Sequence, residues 1–147
     1  MKKQIIRVVV IAVAVILVAW HPPLRILLTP EKTTNKNISF AIFKADTYAS
    51  SIYNDASAKL QVTVVKVRGT KRSVVWQKNY DAKLLSQYPT AANAISQNIT
   101  IPNVADNKEH LEVLYTLTYD SKGSVMQLQD GAVISKGVKN RKLSINI

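Results

Sequence analysis

The 147 residues contain no cysteine and only two histidines, His21 and His110. Disulfide staples, cysteine-based zinc sites, a Cys–His nucleophile pair and lipoprotein-type processing at a cysteine are therefore excluded. Glycine is scarce as well. The four present, Gly69, Gly123, Gly131 and Gly137, make no glycine-rich loop of the kind that cradles phosphates. Acidic residues are few and scattered: Asp46, Asp55, Asp81, Asp106, Glu109, Glu112, Asp120 and Asp130 stand singly, mostly where Asp caps and bends a turn. Nothing in that spacing proposes a carboxylate pair, and His110, beside Glu109 ahead of a strand, reads as an exposed loop histidine. No enzyme activity, metal or cofactor is expected. Helical periodicity is also missing beyond a turn or two within Asp81 to Leu85 and Ala91 to Ile95, on either side of Pro89.

One long apolar run is present, the thirteen residues Val8 to Trp20, with Lys2, Lys3 and Arg7 ahead of it. As a helix it would be about 20 Å long, against the ~30 Å of a bilayer core, so length suits a cleaved signal sequence. The residues behind it do not. Leu17 and Ala19, followed by Trp20, His21, Pro22 and Pro23, fit no small-x-small cleavage site. With Ile5 and Ile6 added and Arg7 snorkelling, the run becomes an uncleaved signal anchor with Trp20 at headgroup depth. Lys2, Lys3, Arg7 and Trp20 are then the membrane-interface residues, and the cations put the N-terminus in the cytoplasm and the rest outside it, in the periplasm or at the cell surface. Secretion after cleavage is the alternative.

The expected organisation is an anchor over 1–21, a juxtamembrane linker over 22–36 and one domain over 37–147, a length suited to a single core. That domain reads as all-β. Ile38, Phe40 and Ile42 alternate with Ser39, Ala41 and Phe43; Leu60, Val62 and Val64 alternate with Gln61 and Thr63 until Val65 and Val67 take over the apolar parity, which predicts a β-bulge near Val64 and Val65. Gly69 and Thr70 turn into Ser73 to Tyr80. Asn98 to Ile101 is a short strand ended by Pro102. In Leu111 to Tyr119 the residues Leu111, Val113, Tyr115, Leu117 and Tyr119 share one face, and only Leu114 breaks the alternation. Val125 to Gln129, Ala132 to Ser135 and Leu143 to Ile147 complete the strands. Trp76, Tyr80, Tyr115, Leu117 and Tyr119 are assigned to the core.

Short strands at this spacing predict a two-sheet antiparallel sandwich. The segment Ile99-Thr100-Ile101-Pro102-Asn103-Val104, followed by a polar stretch and Leu111 to Tyr119, resembles the late strands of immunoglobulin-like and fibronectin type III domains. The resemblance covers about a quarter of the chain. It implies an immunoglobulin-like antiparallel β-sandwich behind the N-terminal hydrophobic helix, and departs from those families in having no cysteine pair. It implies no function, because such sandwiches serve many.

Charge is the positive clue to partners. After residue 30, sixteen Lys or Arg face nine Asp or Glu, a formal +7. Lys66, Arg68, Lys71, Arg72 and Lys78 fall on or beside one hairpin and form the candidate surface for an anionic partner; Lys136, Lys139, Arg141 and Lys142 precede the last strand. Two roles follow as expectations. The first is a membrane-anchored structural or protein-interaction subunit of the cell envelope. The alternative is a basic module for an acidic glycan or anionic lipid headgroup. Nucleic acid is not expected, since no stacking aromatics accompany the basic residues.

Overall fold

The computed structural model describes residues 31–46 and 54–147. The expected N-terminal helix, with Lys2, Lys3, Arg7 and Trp20, lies outside them. Seven strands follow in order: β1 (Thr34–Phe43), β2 (Ala56–Arg68), β3 (Lys71–Leu84), β4 (Ile95–Val104), β5 (Glu109–Ser121), β6 (Ser124–Ile134) and β7 (Asn140–Asn146). They form a three-stranded sheet ordered β4-β1-β7 and a four-stranded sheet ordered β3-β2-β5-β6. The molecule is thus an all-β sandwich. Among the described residues no helix is long and apolar enough to cross a membrane.

Alternation builds the core. Ala56, Ala58, Leu60, Val62 and Val64 on β2 and Leu111, Val113, Leu117 and Tyr119 on β5 turn one face of the larger sheet inward. Ile38, Phe40 and Ile42 on β1, Ile101 on β4 and Ile145 on β7 meet them from the smaller sheet. Trp76, Tyr80 and Tyr115 are half-buried against this cluster, and Trp76 stacks on Phe40 across the sheets with ring centroids 5.7 Å apart.

Several boundaries differ from expectation. β1 begins at Thr34, inside the stretch read as linker, and Lys36 there is 1% exposed. β4 runs on past Pro102, because an extra residue at Pro102–Asn103 shifts the register against β1 and Asn103 takes a positive φ of 54°. The residues read as two strands around Gln129 and Ala132 form one, β6. The register does shift at Val64/Val65, but the extra residue is Val75 on β3; a second shift opposite Ala58 and Leu60 also falls on β3. Of the expected helical turns, Asp81 to Leu84 belong instead to β3, and 3-10 turns lie at Leu85–Gln87 and Ala91–Asn93.

The sandwich is not wholly antiparallel, as β7 pairs parallel to β1. The cause is the short connection after β6. Ile134 ends beside Leu111, at the end of the sandwich where β1 starts, and the Asn37 N–H donates to the Lys139 carbonyl at 2.8 Å. A chain crossing sheets there has only one direction in which to run along β1.

Candidate functional site

The hairpin cations occupy the first place to look. Lys66, Arg68 and Lys78 do share the core-side parity of their strands, with Lys66 paired to Ser73, Arg68 to Lys71 and Lys78 to Val62. Arg72, opposite Val67, lies on the other face. Each of these except Lys71 has an acceptor. Lys66 Nζ donates to the Asn103 carbonyl at 3.3 Å and sits 3.8 Å from the Glu109 carboxylate, which Arg68 approaches at 3.7 Å from the other side. Glu109 is buried, and its Oε2 also accepts the Ala105 N–H at 2.9 Å, closing the turn between β4 and β5. Lys78 reaches across to Gln97 on β4, with its ammonium 5.0 Å from the Tyr80 ring centroid. These residues clamp the sandwich rim.

A second charged cluster, not anticipated from sequence, lies at the same end. Lys36 pairs with Asp106 and donates to the Val138 carbonyl at 2.7 Å. Asp106 also accepts from the Thr34 hydroxyl at 2.7 Å and the Gly137 N–H at 3.3 Å. Donation by Lys36, then by Thr34, holds the Asp106 carboxyl down at about 2. The cluster ties the start of β1 to the loops after β4 and β6. Lys36 was read as solvated linker because no local pattern reveals a partner 70 residues away.

The outer face of the four-stranded sheet is different in kind. Strand parity sends Thr63, Val65 and Val67 of β2, Val74 of β3, Leu114 and Thr116 of β5 and Gln129 and Val133 of β6 away from the core. Val74, Leu114 and Val133 are 61%, 41% and 58% exposed. Val65 and Val67 lie on this face too, yet are 6% exposed. The Arg72–Glu112 ion pair explains that. Arg72 stands opposite Val67 and Glu112 opposite Val65, so the pair spans β2 from the strands on either side and lies over both valines. Arg72 Nη1 donates to Glu112 Oε1 at 3.2 Å and Nη2 to Oε2, and His110 Nε2 lies 3.5 Å from Oε1. His110 is therefore the second residue of β5, not a loop residue.

Next to this pair, Thr63, Val65, Val74, Leu114, Thr116 and Gln129 line a depression of about 480 Å³. Gly131 lies opposite Leu114 on the neighbouring strand. A Cβ there would come within 2.4 Å of the Val113 carbonyl oxygen and 3.1 Å of Leu114 Cδ2. The rest of the face is mainly polar, with Ser57, Lys59, Gln61, Asn79, Thr118 and Gln127, and ends in the exposed Leu84 and Val125. The sequence carried two signs of the apolar half: the change of parity at Val65 and Val67, and Leu114 out of step in β5. Neither identified a solvent-facing surface until the register was known.

Tyr115 and Asp130 pair on the opposite, core-side face of β5 and β6, the Tyr115 hydroxyl donating to Asp130 Oδ2 at 2.8 Å. Burial first, and the carboxylate second, push the Tyr115 hydroxyl up to about 12, while the same bond lowers Asp130. Among the described residues no three His, Cys, Asp or Glu side chains are grouped to hold a metal ion. No known protein family, curated protein or solved structure matches the chain.

Proposed function

We propose that this chain is a membrane-anchored, extracytoplasmic β-sandwich that acts as a protein-interaction subunit of the cell envelope, and that it engages its partner through the outer face of β3-β2-β5-β6. One observation carries the reading: among the described residues Val74, Leu114 and Val133 stand exposed on that face, beside the Arg72–Glu112 pair. Contiguous exposed apolar surface on a folded domain marks a binding surface more often than scattered apolar residues do. The anchor and the address rest on Lys2, Lys3, Arg7 and the run to Trp20. An immunoglobulin-like descent of the fold is part of the proposal. It is supported by β2 and β5 at the centre of one sheet and β1 at the centre of the other. The parallel β7 is this chain's departure from that pattern.

The alternative, a basic surface for an acidic glycan or lipid headgroup, is disfavoured because Lys66, Arg68, Arg72 and Lys78 are engaged within the domain. The test places a photoreactive side chain at position 114 or 74 in the full-length chain, in membranes, with position 59 on the polar half as control. A discrete protein adduct from 114 and 74 but not from 59, lost in Val133→Asp, is expected. Adducts of equal yield at all three positions refute the face. Binding to anionic vesicles that disappears when Lys66, Arg68, Lys71 and Arg72 become Gln supports the alternative instead.

A further inference from the structure

The four sheet edges are not alike. β3 carries Lys71, Arg72, Lys78 and Lys83 and both of its bulges. β4 has Pro102 and the bulge at Asn103. β7 is only seven residues long and carries Arg141 and Lys142. Short length, cations, proline and bulges are the devices that stop an edge from pairing with another chain. β6 has none of these four, and its one charge is Asp130 on the core-side face. Its eleven residues, SVMQLQDGAVI, contain no Lys, Arg or Pro and pair with β5 from Ser124 to Ile134 without a register shift. Val125, Met126, Leu128 and Val133 on it are exposed by 49% to 63%.

We infer that the edge of β6, unpaired among the described residues, is the docking site for a second copy of this chain, joined antiparallel, β6 to β6, about a two-fold axis at Gln129. Two features of the strand select that occupant and register. In this register Val125 meets Val133 on the outer face and Met126 meets Ala132 on the core-side face, so Val125, Met126 and Val133 each face an apolar residue. Asp130, the single charged residue of β6, meets Leu128. Centring on Asp130 would instead oppose two carboxylates, and centring on Leu128 would set Met126 against Asp130 and Val125 against Gly131, losing the contact of Val125 with Val133. Charge elsewhere acts in the same direction. With a formal +7 after residue 30, copies that approach through β3 or β7 bring lysines and arginines together, whereas β6 is the edge without them. The product is a two-fold dimer with one continuous eight-stranded sheet, the usual closed symmetry of an association of like subunits. On the outer face each Val133 then lies beside Val125 of the other copy. The inference stands apart from the identity of any partner bound on that face.

The chain's lack of cysteine makes the test clean, since one introduced thiol is the sole thiol. In the full-length chain, Gln129→Cys sits at the axis and should form a disulfide-linked dimer on mild oxidation, while Gln77→Cys on the bulged β3 edge should not. Gln129→Lys and Gln129→Glu each oppose like charges at the axis and should be monomeric by light scattering, and mixing the two should restore a dimer, which a misfolded variant could not do. A monomeric native chain, equal crosslinking at 129 and 77, or charge variants that still dimerise separately would overturn the inference. So would a Gln129→Cys adduct formed with a different protein's strand. Failure of the dimer leaves the crosslinks from positions 114 and 74 unaffected, so the two readings fail separately.

Discussion

Lys36 is the residue on which the domain's N-terminal boundary depends. Its side chain is enclosed, and Asp106 supplies its counter-charge from the loop after β4. Removing one partner of a buried pair leaves the other charged and poorly solvated. Asp106→Ala should therefore cost roughly 3 kcal/mol in denaturant unfolding, whereas the joint replacement Lys36→Met with Asp106→Leu should recover most of that loss. The same pair sets acid sensitivity. Because the folded Asp106 carboxyl is lowered to about 2, its contribution is present above the ordinary carboxylate range, near 4, and is lost as pH falls from there toward 2. Thermal melts across that window should drop steeply for the native chain and more gradually for Asp106→Asn. At the alkaline end the sign reverses. Tyr115 is raised to about 12, so the stability tied to its protonated hydroxyl is present below pH 10 and lost as pH rises through 12. Tyr115→Phe should flatten that part of the profile, with a measured hydroxyl titration shifted upward in the native chain.

At the scale of elements, β5 and β6 pair without interruption only because Gly131 has no side chain. A methyl group there would press on the Val113 carbonyl, a backbone atom that cannot step aside. Gly131→Ala should accordingly destabilise by about 2 kcal/mol, as overpacking does, although alanine in a strand interior is otherwise better than glycine. Calorimetry against the exposed control Ser124→Ala would check it. β3 shows the reverse economy. Its two shifts lie opposite Ala58/Leu60 and Val64/Val65, and at the first of them the Tyr88 hydroxyl donates to the Ala58 carbonyl at 2.8 Å. Tyr88→Phe should cost about 1 kcal/mol, the worth of one buried hydrogen bond, read as a lowered unfolding midpoint.

For the whole molecule, the decisive contrast is between a rim whose charges are spent internally and an outer face and edge that are not. Glu109, Glu112 and Gln97 take up Lys66, Arg68, Arg72 and Lys78, which sequence alone presents as a free basic surface. Substituting Leu114→Asp should therefore leave the unfolding midpoint within about 0.5 kcal/mol of the native chain, as for a surface site, while abolishing the protein adduct from position 74. Equal adduct yield in Leu114→Asp would show that the apolar face is not the contact. Most strands, the core parity of β1, β2 and β5 and the assignment of Trp76, Tyr80, Tyr115, Leu117 and Tyr119 toward the core were legible, because alternation is a local property of a strand with one buried face. The change of apolar parity at Val64 and Val65 is not a bulge of β2, which keeps its register with β5 throughout; it marks Val65 and Val67 as outer-face residues, and the extra residue, Val75, is on β3.

The sequence by itself determined the all-β class, the inward faces, the absence of cysteine chemistry and the excess of positive charge. Each of these depends on residue type and on spacings of two. Only the tertiary structure decided that Lys36 meets Asp106, that β7 lies parallel to β1, that Lys66, Arg68 and Arg72 meet Glu109 and Glu112, and that β6 is the edge without cations. Those are relations between segments 40 to 100 residues apart, set by which strands become neighbours, and no local pattern carries that information.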